Sequence, residues 1–424
     1  MAKIAAVHAR EILDSRGNPT LEVEITTTSG HRARASVPSG VSTGRQEAVE
    51  RRDGDPERFL GRGVREAVAC VQTDLAEVLV GRDSDDQPGN DRAMIRADGT
   101  EDKSRFGANA ILGCSLALAR VIANREHVPL FRHLGGEQAT VLPVPFLSVI
   151  AGGPHANNSL DIQEFMIAPI GFRRYSEALW AGAEVYHAVG VELSERGLAT
   201  GVGDAGGFAP NLAHGRDAIE LIMRAITRAG YSAGTQIALA LDAAASALHT
   251  GSTYVMANEG RELSTDEMID YWVLIADQYP LILLEDGLAE EDWPGWAALT
   301  RRLGDRVEIA GDDVFVTNPR IVAEGIAARI GNSVVIKPNQ VGTLTETLET
   351  IGVAHRAGYG IVISGRSGET TDDFIADLAV ATRAGRITSG APVRGERVAK
   401  YNRLLAIERE LGAGGAYAGH EFVR

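Results

Sequence analysis

The sequence has few of the features that mark secreted, membrane-bound or nucleic-acid-binding proteins. Only two of its 424 residues are cysteines, Cys70 and Cys114, which excludes a disulfide framework. Acidic residues outnumber basic ones by 57 to 42, so the chain lacks the basic face that a phosphate backbone requires. The N-terminus has no apolar core of a signal peptide, because Arg10, Glu11 and Asp14 interrupt it. We therefore expect a cytoplasmic protein with no membrane or nucleic-acid partner.

The first third of the chain has an α+β pattern. Apolar residues alternate with polar ones at 20–26, which predicts a half-buried strand with 31–37 as its partner. The segment 38–52 begins as a Gly/Ser-rich mobile loop and ends in a helical pattern. Longer helical patterns cover about 64–80 and 108–132. A turn-rich stretch then separates this part from the rest, and we predict domains at 1–135 and 140–424.

In the second part, short apolar runs alternate with helical patterns, and each run leads to a polar or charged residue. Those residues are Asp242, Glu285, Asp312, Lys337 and Arg366, with spacings of 43, 27, 25 and 29 residues. Such spacing accommodates one strand and one helix per unit and predicts a parallel α/β barrel. Active sites of these barrels lie at the C-terminal ends of the strands, so these side chains should share one rim. A doubly wound sheet also uses strand ends, but no Gly-rich nucleotide fingerprint follows a strand here.

Three acids at successive strand ends indicate a metal site. Converging carboxylates repel one another unless a cation neutralises them, and Mg²⁺ prefers oxygen ligands. Asp242, Glu285 and Asp312 are therefore predicted ligands, although each acid alone could instead cap a helix or pair with an arginine. Lys337 could act as a general base if nearby positive charge lowers its pKa, or it could be a salt-bridged barrel lysine.

Other polar residues suit the binding of an anionic substrate. Arg366 and Ser367, within GRSGET, offer a guanidinium and a hydroxyl to a group such as phosphate. His155, in GGPHANN, is predicted to lie on a loop at the rim, although an isolated histidine is more often structural. Glu164 in QEFMI and Asp204 in GDAGGF are further acids near the start of the barrel.

Long motifs in a fixed order carry a family resemblance. They include EILDSRGNPTLEVE, VPSGVSTG, KSRFGANAILGCSLA, QEFMI, GGFAPN, KPNQVGTLTET, RSGETTDDFIADLAV and ERVAKYNRLLAIE. The sequence resembles the enolase family over essentially its whole length. The resemblance implies an N-terminal α+β capping domain, a C-terminal modified TIM-type (β/α)8 barrel, and a homodimer or a higher assembly of dimers.

The resemblance also implies roles for individual residues. Metal ligands are implied at Asp242, Glu285 and Asp312, with Ser42 of the mobile loop helping to hold the second of one or two Mg²⁺ ions. Lys337 matches the base, and Glu164 and His155 match further catalytic or substrate-site residues. Gln163, Arg366 and Ser367 match substrate contacts. The implied reaction removes the α-proton of a small phosphorylated or phosphonylated carboxylic acid and forms a metal-stabilised enediolate.

The departures from the enolase pattern lie mainly on the leaving-group side. Enolases have GDEGGF, SHRSGET and IKTG, whereas this chain has Ala205, Gly365 and Thr388 at the glutamate, histidine and lysine. The proton-abstraction side is retained. We therefore expect an altered reaction with an enolpyruvyl product, for which carboxyphosphonoenolpyruvate synthesis in phosphinothricin-type antibiotic biosynthesis is one branch. The alternatives are a phosphopyruvate hydratase of reduced activity and a catalytically silent enolase-fold binding protein.

Overall fold

The chain begins with a three-stranded antiparallel sheet. The structure, a computed structural model, describes residues 2–41 and 43–422. The sheet contains β1 (Ile4–Leu13), β2 (Pro19–Thr27) and β3 (Arg32–Ser36) in that order. Leu21, Val23 and Ile25 of β2 are fully buried between polar neighbours. The strand predicted at 20–26 and its partner are therefore present.

The segment 38–52 differs from its prediction. Its described residues contain no helix, so the helical pattern expected at its end is wrong. Its backbone instead bonds to neighbouring segments, as when Ala48 donates to the carbonyl of Gln340 at 2.8 Å and Val49 to that of Asp102 at 2.8 Å. These tertiary hydrogen bonds replace the local ones of a helix. Ser42, the residue predicted to help hold a second Mg²⁺, lies outside the described residues.

Helices follow this sheet in the N-terminal part, and the longest of them, Ala108–Glu126, packs on β2 and β3. The helices span Arg65–Cys70, a π-helical turn at Val71–Leu75, Ala76–Leu79, Gln87–Asp98, Ala108–Glu126 and Leu130–Gly135. The helix predicted over 108–132 is divided in two. His127 has a left-handed φ of 56°, and Pro129, which has no N–H to donate, precedes the second helix.

Eight strands close into a barrel. They are β4 (Val144–Ala151), β5 (Glu164–Pro169), β6 (Ile237–Asp242), β7 (Leu281–Glu285), β8 (Glu308–Gly311), β9 (Ser333–Ile336), β10 (Gly360–Ser364) and β11 (Gly385–Thr388). Neighbours follow chain order, and β11 pairs with β4. The predicted barrel is confirmed, with one correction: β5 is antiparallel to both neighbours. The connection from β4 to β5 has no crossover helix, so the strand returns in the opposite direction.

Helices cover the outside of the barrel. The longer ones are Tyr175–Glu195, Gly215–Arg228, Thr265–Gln278, Trp293–Leu303, Pro319–Ala328, Leu344–Arg356, Phe374–Ala381 and Gly395–Leu411, with a short helix at Pro338–Val341. Two small ribbons pair Val141–Leu142 with Ala416–Tyr417 and Tyr254–Met256 with Arg261–Leu263. Among the helices of residues 2–41 and 43–422, none is long and apolar enough to cross a bilayer.

Side chains fill the interior of the barrel below its C-terminal rim. Phe146, Leu283, Val335 and Val362 are buried there in one apolar cluster. Arg386 of β11 forms a buried ion pair with Glu308 of β8 across the interior. The interior below the rim is therefore filled by side chains.

An ion-pair cluster of Arg120, Asp372 and Asp373 joins the N-terminal part to the barrel. Arg120, on the helix Ala108–Glu126, donates to both carboxylate oxygens of Asp372 at 2.5 and 2.9 Å and to Asp373 at 2.8 Å. Burial raises the pKa of Asp372, but the charge and hydrogen bonds of Arg120 lower it by a larger amount, so the net shift is downward. The cluster therefore stabilises the folded state through the ionised form of Asp372.

Arg120→Ala is expected to lower the free energy of unfolding by about 3 kcal/mol at neutral pH, because it leaves a buried carboxylate without its partner. The contribution is fully present above the unfolded-state pKa of about 4 and is lost as the pH falls through the lower folded-state value. Urea denaturation at two pH values measures it. Arg302→Ala is the matched control, since Arg302 and Asp270 are 50% and 65% exposed and should contribute less than about 1 kcal/mol. Equal effects of the two substitutions would contradict the expectation.

Candidate active site

The reversed strand brings an additional acid to the C-terminal rim. Because β5 is antiparallel, its first residue, Glu164, pairs with Asp242, the last residue of β6. Asp242 in turn pairs with Glu285 at the end of β7. Gln163, directly before β5, donates to Asp242 Oδ2 at 2.7 Å. One short arc of the rim therefore carries three carboxylates and an amide.

The predicted metal ligands are buried and close enough to influence one another. Asp242, Glu285 and Asp312 are 8%, 4% and 7% exposed. Burial and the neighbouring Glu164 raise the pKa of Asp242 to about 6. Burial and Asp242 raise the pKa of Glu285. Upward shifts on converging carboxylates mean that their combined negative charge is poorly compensated, so this oxygen-donor set fits a hard cation such as Mg²⁺.

Two further acids adjoin this set. Oxygens of Asp286, Asp312 and Asp313 lie within 4.8 Å of one another, in a group that could also hold a metal ion. Asp286 accepts the backbone N–H groups of Asp312 at 2.9 Å and Asp313 at 3.0 Å, which fixes the turn that carries Asp312. Sequence reasoning selected the residue at each strand end and missed the acid that directly follows it. The signal was the doubled acids, Glu285-Asp286 and Asp312-Asp313.

Lys337 directly follows β9 and is bonded to the acidic set. Its Nζ donates to Asp312 Oδ2, and its backbone N–H donates to Thr317 Oγ1 at 2.8 Å. Burial lowers the pKa of Lys337, but the negative charges of Asp312 and Glu285 raise it by a larger amount, so the net shift is upward. The carboxylates thus hold the ammonium form, and titration near neutrality stays a prediction that depends on a bound cation.

Gln340 connects the acidic set with the N-terminal part. Its Nε2 donates to Asp312 Oδ1 at 2.8 Å and to Glu47 Oε1 at 3.2 Å, while its Oε1 accepts from Thr317 at 2.6 Å. The residue is 1% exposed, so these bonds are shielded from water. Gln340 therefore orients Asp312 in the way that outer residues orient metal ligands.

Gln340→Ala is expected to weaken Mg²⁺ binding about 10-fold or more, because Asp312 loses the amide that orients it. Calorimetric titration with Mg²⁺ measures the change. Gln87→Ala is the matched control, since Gln87 also donates its amide to a carboxylate, that of Asp91, but in the N-terminal part. An unchanged Mg²⁺ affinity in Gln340→Ala would show that Asp312 needs no such support.

The predicted anion-binding residues are also buried, and one of them is ion-paired. Arg366 donates to Glu47 Oε2 at 3.1 Å and Oε1 at 3.2 Å, and to Asn339 at 3.1 Å. The hydroxyl of Ser367 accepts the backbone N–H of Val41 at 3.0 Å. Both residues therefore contact the segment that adjoins Ser42. Sequence reasoning missed Glu47, because nothing local in 38–52 indicates a partner 319 residues away.

His155 and Glu164 form a hydrogen-bonded pair. His155 follows two glycines and a proline in a short 3-10 turn, and its Nδ1 lies 3.0 Å from Glu164 Oε1. Burial raises the pKa of Glu164, but the hydrogen bond and charge of His155 contribute to a larger lowering, so the net shift is downward. Glu164 is thus held as a carboxylate, which can accept a proton.

One cavity at the rim brings most of the predicted site together, although the predicted metal ligand Asp312 does not line it. Its lining includes Asp242, Glu285, Lys337, His155, Gln163, Glu164, Arg366 and Ser367. The three departures from the enolase pattern, Ala205, Gly365 and Thr388, line the same cavity. The structure therefore brings the retained and the altered residues together at one rim. Sequence reasoning missed Arg397, which also lines the cavity.

The barrel and its acid-and-lysine rim define a class of metal-dependent α/β-barrel enzymes, and comparison with known proteins agrees. Residues 139–424 match the family described as the enolase C-terminal TIM barrel domain, and residues 4–134 match the enolase N-terminal domain. The chain is 56% identical to an enolase of Rubrobacter xylanophilus over 419 residues, which cover 99% of this chain and 97% of the relative. The chain belongs to the enolase family, whose members are Mg²⁺-dependent lyases acting on small phosphorylated carboxylic acids.

Proposed function

We propose that the chain acts on a small acid of the 2-phosphoglycerate and phosphoenolpyruvate type, removes the α-proton of the saturated form, and gives an enolpyruvyl product by a reaction that differs from ordinary phosphoglycerate dehydration. The observation that carries this proposal is the composition of the cavity. It retains Asp242, Glu285 and Lys337 but has Ala205 where the family has a proton-donating glutamate.

In the first step, which is removal of the α-proton, each group of retained residues would have a separate role. Asp242, Glu285 and Asp312 would hold Mg²⁺, which supplies positive charge beside the substrate carboxylate. Lys337 Nζ would take the α-proton once the lysine is neutral. Arg366 and Ser367 would bind the phosphate or phosphonate group, which requires the anion to share Arg366 with Glu47 or to displace it. Gln163, His155 and Glu164 would orient the substrate at the same rim.

The altered residues remove the means of expelling a hydroxyl group. Ala205 has no proton to give, and general acid catalysis typically contributes about 10²- to 10⁴-fold. Gly365 and Thr388 are smaller than the histidine and lysine of the family pattern, so two further ionisable side chains are absent from the lining of the cavity.

The specific reaction we propose is carboxyphosphonoenolpyruvate synthesis from 3-phosphoglycerate and an activated phosphonoformate. The C2 oxygen would bond to the phosphonoformyl phosphorus as the activating group leaves, and removal of the C2 proton by Lys337 would then expel phosphate from C3, a leaving group that needs no proton from residue 205. The product is an enolpyruvyl ester with an additional carboxylate on phosphorus.

Phosphopyruvate hydratase of reduced activity is a second candidate. The 56% identity over nearly the full length of a relative named enolase favours it. In that case another group, such as Glu164 or a substrate oxygen, would have to replace the missing acid.

Two measurements on one sample separate these functions. With Mg²⁺ and 2-phosphoglycerate in deuterated buffer, exchange of the C2 hydrogen reports proton abstraction, while phosphoenolpyruvate formation reports the loss of hydroxide. We expect exchange with negligible phosphoenolpyruvate from 2-phosphoglycerate, and formation of the enolpyruvyl product when 3-phosphoglycerate and the activated phosphonoformate are supplied together. Turnover near that of an ordinary enolase would favour the hydratase. The absence of exchange in a folded, Mg²⁺-binding protein would overturn the proposal and favour a silent scaffold.

A further inference from the structure

Arg397 is a buried cation whose hydrogen bonds join two walls of the cavity. It is 1% exposed and lines the cavity from the first turn of the helix Gly395–Leu411. One terminal nitrogen of its guanidinium donates to the carbonyl of Arg366 at 2.6 Å. The other donates to the carbonyls of Ser367 at 2.5 Å and Asp204 at 3.2 Å. Arg397 therefore connects the loop after β10 with the turn that contains Asp204.

The helix that carries Arg397 does not account for this residue. A cation in the first turn faces the positive end of the helix dipole, which is unfavourable. Burial of the guanidinium also removes it from water, so its N–H groups need acceptors within the protein. A carboxylate oxygen of Glu396 lies 3.3 Å from Arg397 Nε and compensates part of the charge. The arginine is therefore explained by the segments it joins.

The same helix holds the loop after β10 at a second point. Lys400, one turn beyond Arg397, donates to Glu369 Oε2 at 2.7 Å and to the carbonyl of Thr370 at 2.5 Å. Glu369 Oε1 in turn accepts the backbone N–H of Arg366 at 3.0 Å. Both backbone polar groups of Arg366 are thus bonded, its N–H to Glu369 and its carbonyl to Arg397. The side chain of Arg366 therefore extends from a backbone of fixed position.

A glycine permits the close approach of Arg397 to the turn on the other side. Gly390 has a φ of +89°, and a Cβ there would lie 3.0 Å from Arg397 Cδ and 2.5 Å from the carbonyl oxygen of Ala205. Another residue at this position would be strained and would push the arginine and the turn apart. The contact between Arg397 and the turn that contains Ala205 is therefore tightly packed.

We propose that Arg397 is a positioning residue for anion binding, which fixes the backbone of Arg366 and Ser367 and couples their loop to the turn at 203–208. It acts through the two residues whose carbonyls it binds and need not touch the ligand. The contact of a guanidinium with a phosphate or phosphonate depends on its geometry, so a displaced loop binds the anion less tightly. This inference rests on the proposed function, in which Arg366 and Ser367 bind the anion.

Arg397→Lys tests position separately from charge. Lysine keeps the positive charge but ends in one nitrogen, which cannot reproduce the fork of the guanidinium onto separate carbonyls. We expect 2-phosphoglycerate to bind the Mg²⁺-loaded variant about 10-fold more weakly than the natural chain, while the affinity for Mg²⁺ alone changes less than about twofold. Calorimetric titration measures both. Arg403→Lys is the matched control, since Arg403 of the same helix forks onto Asp377 at 2.7 and 2.8 Å, and neither residue lines the cavity.

Hydrogen exchange in the full Mg²⁺-loaded chain tests the coupling without a substitution. Addition of 2-phosphoglycerate should slow exchange of backbone amides in 364–370 and, through Arg397, in 203–208. Protection of 364–370 alone would overturn the coupling. Protection of 203–208 that persists in Arg397→Lys would also overturn it, because the ligand would then act on the turn directly.

The remaining outcomes separate this inference from the proposed function. An unchanged affinity for 2-phosphoglycerate in Arg397→Lys would show that charge alone suffices, and equal losses in Arg397→Lys and Arg403→Lys would assign the effect to the helix. Either result overturns the positioning role alone, provided that the natural chain binds 2-phosphoglycerate and exchanges its C2 hydrogen. If the natural chain binds Mg²⁺ but neither binds 2-phosphoglycerate nor exchanges its C2 hydrogen, the proposed function fails together with the inference.

Discussion

Lys337→Ala is expected to reduce exchange of the C2 hydrogen of 2-phosphoglycerate by about 10²- to 10⁴-fold. Lys337 lies at the end of β9 with its Nζ on Asp312, inside the cavity that also contains Asp242 and Glu285. It is the group we propose takes the proton, and alanine offers no replacement. Proton NMR in deuterated buffer measures the exchange rate directly.

The control for this substitution is Lys103→Ala. Lys103 is also buried and ion-paired, at 3.0 Å from Glu346, but its partner lies at the junction with the N-terminal part. Removing it tests whether loss of any buried lysine slows exchange. The proposed role is wrong if Lys337→Ala retains normal exchange, or if both variants lose it to the same extent while they remain folded.

Ala205→Glu, combined with Gly365→His and Thr388→Lys, is expected to raise phosphoenolpyruvate formation from 2-phosphoglycerate by about 10²- to 10⁴-fold over the natural chain. The glutamate restores a proton donor on the leaving-group side, and the other two changes restore the family's side chains. At Gly365, a Cβ would lie 3.1 Å from Glu369 Oε1, so Glu369 must move slightly. A coupled assay for phosphoenolpyruvate measures the gain.

The matched control is the same triple variant with Ala205→Gln. Glutamine has the size of glutamate but cannot donate an acidic proton, so it separates catalysis from filling of the cavity. Equal gains with both residues would assign the effect to packing. If the natural chain already forms phosphoenolpyruvate at an ordinary rate, Ala205 is compensated and the second candidate function applies.

Much of the barrel could be predicted because its strands are buried on both faces. Runs such as 237–241 and 281–284 are continuously apolar, and the polar residue that ends each run marks the rim. Strand direction could not be predicted, because an apolar run reads the same whether it is parallel or antiparallel to its neighbours. The reversal of β5 is visible only in its pairing with β4 and β6.

The residues of the candidate site also fall into those that the sequence pattern predicts and those that it does not. Asp242 and Glu285 end their strands and Lys337 directly follows one, so the sequence pattern predicts all three, and they line the cavity. Glu47 and Gln340 were not, because their importance lies in contacts with residues distant in sequence. The helix predicted at the end of 38–52 was wrong for the same reason: its local pattern competes with tertiary hydrogen bonds that the sequence does not reveal.

Below the cavity, the barrel interior is filled by an apolar cluster and by the buried ion pair of Arg386 and Glu308. Ligands are therefore expected to enter and leave from the rim side. For a reaction with two substrates, this shared route would favour ordered binding, in which the molecule nearest Lys337 enters first and leaves last. Product-inhibition kinetics measure the order of binding.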